Sequence, residues 1–514
     1  MIPYCRNLLV TELVQWHKWY LPQKSIEGKT VLDVGAGCLP RGHLILGATK
    51  DISEYQAAEP VFSSRGLSLV TETHARPYSG RLYDIKGHGL LPFSLTPEHP
   101  VLVARTHLSY KGELHKSARR VVDGLEWRRA KDIRPMVGHR GNGDCLVFPK
   151  LKLEAPVPDF PLEYGRSPPD RYGRVTVKLE EQMAELLGLY VAEGDSQSVV
   201  GLSFGSHEKE LVEHAGSLAK GVFPYRVRTR LRGSSAIVQF GSTPLARFLH
   251  SNFGDRARTK RLPDWMLLAP RRILAPFLKG IWEGDGYYST SMHKGHPIFS
   301  LGIRTSSIAL AMGIQLALSK FDIFARINRS DRIGTGRFAG SSEIYDVRMS
   351  GVNPNINEVF GVFPRSGTGR ITRRFGEDTA NFYMPVRNVK TLEYKGTVFN
   401  LTTASNDYLV SNIIVHNCGE TALFYLKHGA KHVICVEPPG EALQMLKKNF
   451  GGDSRVTIVE SSVDMIKSDI EGAELDAVFE IHFPVKFEKI AEGSDPHASI
   501  WRIKKREEHV PGLH

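Results

Sequence analysis

Cysteine is scarce in these 514 residues, and Cys5, Cys38, Cys145, Cys418 and Cys435 are odd in number and widely scattered. Their spacing makes no disulfide framework, and no Cys/His pattern has the separations of a zinc site. Long apolar runs are missing too, so no stretch reaches the length of a membrane span. The opening MIPYCRNLLV lacks the basic start and apolar run of a signal peptide, and the expectation is a cytoplasmic protein with no membrane partner. The length excludes a single core and favours about two to four domains. A uniform charge is also absent. Residues 1–37 and 418–514 together hold 16 Lys and Arg against 19 Asp and Glu, whereas 38–417 holds 51 against 36. The whole basic excess of the chain therefore lies in its middle. Such a field favours a polyanion partner and salt-dependent binding, although a merely solubilising surface has the same composition.

What is present is a glycine-rich loop cut in two. Val31–Gly37 reads VLDVGAG, and its natural continuation, CGETALFYLKHGAKHVICVEPP, begins only at Cys418. Joining Gly37 to Cys418 gives an Asp-x-Gly-x-Gly-x-Gly turn after an apolar strand. A second strand, KHVICVE, then ends in Glu437, 24 positions after Asp33 in the joined numbering. Glycines let a backbone approach a cofactor closely, and an acid ending the second strand can accept from ribose hydroxyls.

These flanks resemble the S-adenosylmethionine-dependent methyltransferases. Asp33, Gly35, Gly37 and Gly419 match the first motif, and Glu437 matches the ribose-binding acid. Ile466-Lys-Ser-Asp-Ile-Glu-Gly-Ala-Glu474 is similar to the fourth-strand motif of the FkbM-type members, which implies that Asp469 lies near the methyl donor. The resemblance implies S-adenosylmethionine as cofactor and leaves the methyl acceptor open. An NAD-binding half-domain has the same kind of turn.

The ends of the interruption carry their own chemistry. Excising an insert from a chain needs a nucleophile at the upstream junction, a second just past the downstream junction, and an amide that cyclises to free the insert. Cys38, Cys418 and Asn417 occupy those positions. A thiol attacks its preceding carbonyl more readily than a hydroxyl, because thiolate is both a good nucleophile and a good leaving group. His416, beside Asn417, can donate a proton to the leaving amine.

The insert resembles the inteins. Cys38-Leu-Pro-Arg-Gly looks like their first block, and Thr96-Pro-Glu-His99 like the block whose Thr and His strain the upstream peptide bond. Glu126-Trp-Arg-Arg-Ala130 with Ile133 fits the strands that follow. Val398-Phe-Asn-Leu401 through Asn406-Asp-Tyr-Leu409 fits the penultimate block, and Ile413-Ile-Val-His-Asn-Cys418 the last. Where many inteins carry Asp and His, this chain has Asn400 and Asn406. Neither titrates, so proton transfer is expected to be slower or to run through Asp407.

Between about 178 and 365 the chain repeats itself. Leu186-Leu-Gly-Leu-Tyr-Val-Ala-Glu-Gly194 recurs as Leu278-Lys-Gly-Ile-Trp-Glu-Gly-Asp-Gly286, and each copy is followed by matching strands and helices. Gly188 and Gly280 allow two helices to pack backbone to backbone. Glu193 and Asp285 then emerge side by side, a pair of carboxylates suited to Mg²⁺ and phosphodiester hydrolysis. The strands form a curved basic surface fitting duplex DNA, with Arg226, Arg228, Arg230, Arg232, Arg326 and Arg329 as candidate contacts. This unit resembles the LAGLIDADG homing endonucleases of the dodecapeptide class, and Lys260 in TKRLPDW resembles their basic residue that assists catalysis. Two internal copies imply a monomer acting on double-stranded DNA, the intein-less host site being the implied target.

The expected architecture is multidomain. An all-β Hint (intein) splicing domain spans 38–150 and 385–417. An α+β endonuclease of two pseudo-symmetric αββα repeats spans 175–370. A split α/β Rossmann-like methyltransferase comprises 1–37 and 418–514. The alternative is a DNA-binding remnant, inactive in splicing or cleavage, in a methyltransferase-like host.

Overall fold

A computed structural model of the chain describes residues 30–34, 37–97, 99–111, 117–136, 143–162, 174–293, 296–334, 340–351, 353–362, 376–405, 407–416, 431–437, 447 and 451–460. Beyond these it describes the short strands at 474–475, 477–478, 487–492 and 499–503. Gly35, Asn406, Asn417, Cys418, Gly419 and Asp469 lie outside the described residues.

Two long strands, Gly66–Gly87 and Asn381–Thr403, pair antiparallel along most of their length and unite segments some 300 residues apart in sequence. Along Gly66–Gly87 the buried residues cluster at the two ends, with half-exposed residues between, so the middle forms an arm and the ends enter a core. Strands Pro100–Lys111, Cys145–Pro149, Asp407–Val410 and Ile413–His416 are among those that join them in an 11-stranded, β-rich body. Cys145, Leu146, Val147 and Phe148 are buried in succession because both faces of their strand are covered. Each such side chain contributes about 1.5–3 kcal/mol through removal from water.

The middle of the chain folds as two similar units. Helix Glu181–Glu193 leads into a four-stranded sheet containing Gly194–Ser196, Val200–Gly205, Ser235–Phe240 and Arg228–Arg232, in that spatial order. Helix Arg271–Asp285 leads into Gly286–His293, His296–Thr305, Gly340–Ser350 and Arg326–Gly334, in the same order. The sequence repeat anticipates both units but not the strand that starts directly after each acid; Gly194–Ser196 is too short to alternate visibly.

Helix Ile308–Ser319 is buried around nearly its whole circumference, as its apolar sequence requires. One side packs on its own sheet. On another, Asn412 Nδ2 in the β-rich body donates to the Met312 carbonyl and to Gln315 Oε1 at 3.1 and 3.0 Å. Gln315 Nε2 in turn donates to the Gly89 carbonyl at 3.0 Å.

The flanks meet in a four-stranded parallel arrangement. Thr30–Val34 pairs with His432–Glu437 on one side and Ala477–Val478 on the other, and His432–Glu437 pairs onward with Val456–Glu460. Counted along the flanks alone, the strand order is 3-2-1-4. The first strand and its neighbours are separated in sequence by the entire middle of the chain. Among the described residues no helix is long and apolar enough to cross a membrane.

Candidate functional site

The upstream junction lies buried against the long strand pair. Leu39 pairs with Phe399 and Pro40 with Val398, which brings Gly37 and Cys38 beside Asn400. The Cys38 N–H donates to Thr96 Oγ1 at 2.8 Å, and the Thr96 N–H returns a bond to the Cys38 carbonyl at 2.9 Å. On the other side of the same peptide, Asn400 Nδ2 donates to the Gly37 carbonyl oxygen at 2.6 Å. Leu401 N–H and the Tyr408 hydroxyl both donate to Asn400 Oδ1, at 2.7 and 2.6 Å. Arg76, opposite Val398 on the partner strand, donates from Nε to Cys38 Sγ at 3.4 Å, setting a positive charge against the thiol.

His99 packs against the same peptide. An added Cβ on Gly37 would fall 2.0 Å from His99 Cα and 2.5 Å from its backbone nitrogen. Among the described residues neither imidazole nitrogen has a hydrogen-bond partner. Burial pushes the His99 pKa down to about 3; His416 adds to the depression and the Gly37 backbone opposes it. The ring is therefore neutral through the physiological range.

The downstream end approaches the same core. Val415 pairs with Val101, two residues past His99, and His416 lies opposite Asp407 across a strand pair. The His416 ring meets Trp127 edge-on at 5.1 Å. Asp407 is buried and accepts from Ser64 N–H at 2.8 Å and Ser64 Oγ at 2.5 Å. Burial raises its carboxyl to about 6 against the opposing pull of Ser64 and Arg65.

In the middle units, the two leading helices touch through their backbones. A Cβ on Gly188 would sit 2.1 Å from the Phe277 carbonyl oxygen, and one on Gly280 would sit 2.3 Å from that of Glu185. This contact brings Glu193 and Asp285 together at the helix ends. Burial first, then Asp285 and Glu208, raises Glu193 to about 7; burial raises Asp285 to about 6, and Lys260 opposes both shifts. Lys260 is 3% exposed and donates to the Tyr190 and Gly194 carbonyls, each at 2.7 Å. Its ammonium lies 3.8 Å from the centroid of the Tyr190 ring. Burial lowers it to about 7, opposed by Asp255, Asp195, Asp285 and Glu193. Lys260 thus ties down the end of the first helix while facing four acids. Asp195, which sequence reasoning passed over, belongs to this group; burial raises its carboxyl as well.

The arginines divide by strand register. Arg228, Arg230 and Arg232 alternate on one strand, paired with Gln239, Ile237 and Ser235, and share the open face of the first sheet. Arg226 is exposed just before that strand. In the second sheet Arg326 pairs with Arg348, which pairs with Gly302 opposite Tyr287, and Arg304 lies two residues along on that same face. Arg304 stacks over Tyr287 at 4.4 Å, and Arg348 reaches the Tyr287 hydroxyl at 2.9 Å. Arg329 has the opposite parity: it shares a face with buried Tyr345 and Val347 and pairs with Glu343. Arg304 and Arg348 were absent from the sequence candidates because their face is set by register alone.

A third cluster, Glu185, His214 and Glu283, places its ligand atoms within 4.8 Å of one another. Lys279 already supplies the positive charge there, at 2.7 Å from Glu185 and 3.3 Å from Glu283. In the flanks, Asp33 and Glu437 occupy the first and second parallel strands, Asp33 pairing with Cys435 and Glu437 with Glu460.

A family model described as a LAGLIDADG-like domain matches residues 273–351, the first helix and sheet of the second unit. The chain thus carries a LAGLIDADG-like domain. It is 27% identical over 403 residues to the ATP-dependent DNA helicase Hel308 of Thermococcus kodakarensis, covering 72% of this chain and 35% of that protein. It is 32% identical over 184 residues to the replication factor C small subunit of Methanocaldococcus jannaschii, covering 32% of this chain and 10% of that one. A DNA polymerase of Thermococcus hydrothermalis is 24% identical over 269 residues, covering 48% and 15%. The chain therefore spans about a third or less of the length of these curated relatives. Among solved structures, the homing endonuclease I-DmoI in complex with DNA and Mn aligns at 12% identity with a TM-score of 0.26, covering 36% of this chain and 99% of that one. The N-terminal LAGLIDADG domain of DUF199/WhiA aligns at 17% identity with a TM-score of 0.22, covering 33% and 76%.

Proposed function

We propose that the chain is a self-splicing precursor. Residues 38–417 excise themselves as an intein and join Gly37 to Cys418. The observation that carries this reading is the grip on one peptide bond: Thr96 holds the Cys38 nitrogen while Asn400 holds the Gly37 carbonyl. Every buried N–H and carbonyl needs a partner, but here two side chains from separate segments, rather than backbone, supply both, around a peptide next to a thiol. The parallel flank sheet supports the same reading, because its first strand and its neighbours are parted by the proposed insert.

In this scheme Cys38 Sγ takes the Gly37 acyl group and Cys418 Sγ then receives it, conserving a thioester. Asn417 attacks its own carbonyl carbon through its side-chain amide, with His416 supplying a proton to the departing Cys418 nitrogen. That freed amine then attacks the thioester carbonyl, forming the Gly37–Cys418 peptide bond and releasing the Cys418 thiol. Asp407, across the strand pair from His416 and raised to about 6 by burial, is an acid able to exchange a proton near neutrality.

The insert also acts, on this reading, as a homing endonuclease cutting double-stranded DNA as a monomer. Glu193 and Asp285 offer hard oxygen ligands from two helix ends, and their raised pKa values mark negative charge that a divalent cation would relieve. Mg²⁺ held there would supply Lewis acidity toward the scissile phosphate. The Lys260 charge opposes the build-up of negative charge on both acids, and the open-face arginines follow the phosphate backbone. For the spliced flanks we propose a cytoplasmic S-adenosylmethionine-dependent methyltransferase, Asp33 and Glu437 flanking the cofactor. Strand order 3-2-1-4 with both acids on adjacent parallel strands supports it.

The test is expression of the full chain beside Cys38→Ala and Asn417→Ala forms. The parent should yield two products on a denaturing gel, whereas the Cys38→Ala form should leave the 1–37 segment attached. An intact parent chain would favour a DNA-binding remnant.

A further inference from the structure

We propose that the Asn400 carboxamide is the oxyanion donor for the first acyl shift at Gly37–Cys38, held in register by Tyr408. The inference rests on the splicing reading above. The orientation of the amide is fixed by what its neighbours can do. Leu401 N–H, which can only donate, lies 2.7 Å from one end of the amide, and the Tyr408 hydroxyl lies 2.6 Å from the same atom. That atom is therefore the oxygen. The nitrogen faces the Gly37 carbonyl, a pure acceptor, at 2.6 Å. Asn400 is 1% exposed and Tyr408 is fully buried, so water does not weaken the contact.

The chemistry needs a donor at that oxygen. Cys38 Sγ gives up its proton and bonds to the Gly37 carbonyl carbon, and the carbonyl electron pair moves onto the oxygen. When the pair returns, the bond from Gly37 carbon to Cys38 nitrogen breaks and that nitrogen gains a proton. The products are a thioester and a free amine, an isomerisation that consumes no other reactant. Negative charge peaks on the Gly37 oxygen, where Asn400 Nδ2 donates. A carboxyl at position 400 could donate only when protonated, and once ionised it would face the oxyanion with like charge. The amide donates at every pH. Tyr408 touches no reacting atom and serves as a positioning residue.

The test uses the full chain with Asn417→Ala and Cys418→Ala, which halts the pathway after this shift. Dithiothreitol then releases residues 1–37, quantified by mass spectrometry across the neutral pH range. Asn400→Ala should slow release about 100-fold, as loss of an oxyanion donor does. Tyr408→Phe, which keeps the ring, should slow it about three- to tenfold by loosening the amide. Release from the parent should rise with pH as the thiol ionises. Asn400→Asp should turn that profile downward once its carboxyl ionises, a change that a packing defect would not produce. Parental rates in Asn400→Ala and Tyr408→Phe, or a parental pH profile in Asn400→Asp, would overturn the assignment. If circular dichroism finds Asn400→Ala unfolded, the near-isosteric Asn400→Asp profile decides alone. A parent that releases no fragment at all refutes the splicing reading, and this step with it.

Discussion

Replacing Gly37 with alanine adds a single methyl group at the most crowded point of the junction. The new carbon would lie 2.0 Å from His99 Cα, 2.2 Å from His99 Cβ and 2.5 Å from the His99 nitrogen. Carbon contacts need about 3.5 Å, and the neighbours are main chain or bonded directly to it, so no rotamer change relieves the overlap. His99 is itself anchored, its N–H on the Thr96 carbonyl at 3.1 Å and its carbonyl on Ala130 N–H at 2.9 Å. The junction must therefore move by an ångström or more, taking the Gly37 carbonyl off Asn400. Overpacking of this kind costs about 1–3 kcal/mol. A displacement of about 1 Å at the reacting atoms costs about 100-fold in rate. The assay is dithiothreitol release of residues 1–37 from full-length Asn417→Ala chains with and without Gly37→Ala. The expectation is a loss of about 100-fold with thermal unfolding of the middle units unchanged. Release from the Gly37→Ala chain at the parental rate would refute the reasoning, because it would mean that His99 does not press on the scissile peptide.

Gly188→Ala should lower the thermal unfolding temperature of the middle units by several degrees, about 2–3 kcal/mol, since its methyl meets the Phe277 carbonyl at 2.1 Å; unchanged melting by calorimetry would deny the backbone contact. Divalent-cation binding should weaken as pH falls, because Glu193, raised to about 7, and Asp285, raised to about 6, must lose their protons to bind. Titration calorimetry should find the upper step gone in Glu193→Gln, and DNA cleavage abolished in both Glu193→Gln and Asp285→Asn. Arg230→Ala should weaken duplex binding and reduce its salt dependence by about one counterion, while Arg329→Ala, on the opposite face and paired with Glu343, should change it far less; equal effects would contradict the face assignment.

The parts legible in the sequence were those carried by order along the chain. The doubled helix motif ending in Glu193 and Asp285, and Thr96 with His99, are local patterns, whereas the turn read across Gly37 and Cys418 lies partly outside the described residues. The parts that stayed hidden depend on long-range register. Arg76 reaches Cys38 only because the strand Gly66–Gly87 pairs with Asn381–Thr403 in one particular alignment, and slipping it by one residue would send Arg76 to the other face. Tyr408 reads in sequence as one more apolar strand residue until its hydroxyl is found on Asn400. Asn400 itself looked like the loss of a titrating acid. Its contact with the Gly37 carbonyl gives the substitution a different meaning, a donor that needs no proton of its own. Arg329 has the right charge and the wrong parity, a distinction that composition cannot make.

The central claim is that Gly37 becomes covalently joined to Cys418. The direct measurement is tandem mass spectrometry of a tryptic digest of the expressed chain. Ligation predicts the peptide TVLDVGAGCGETALFYLK, formed from residues 30–37 and 418–427 and encoded nowhere as a continuous stretch. Finding only peptides that read through Gly37 into Cys38-Leu-Pro-Arg, with none joining Gly37 to Cys418, would contradict the account.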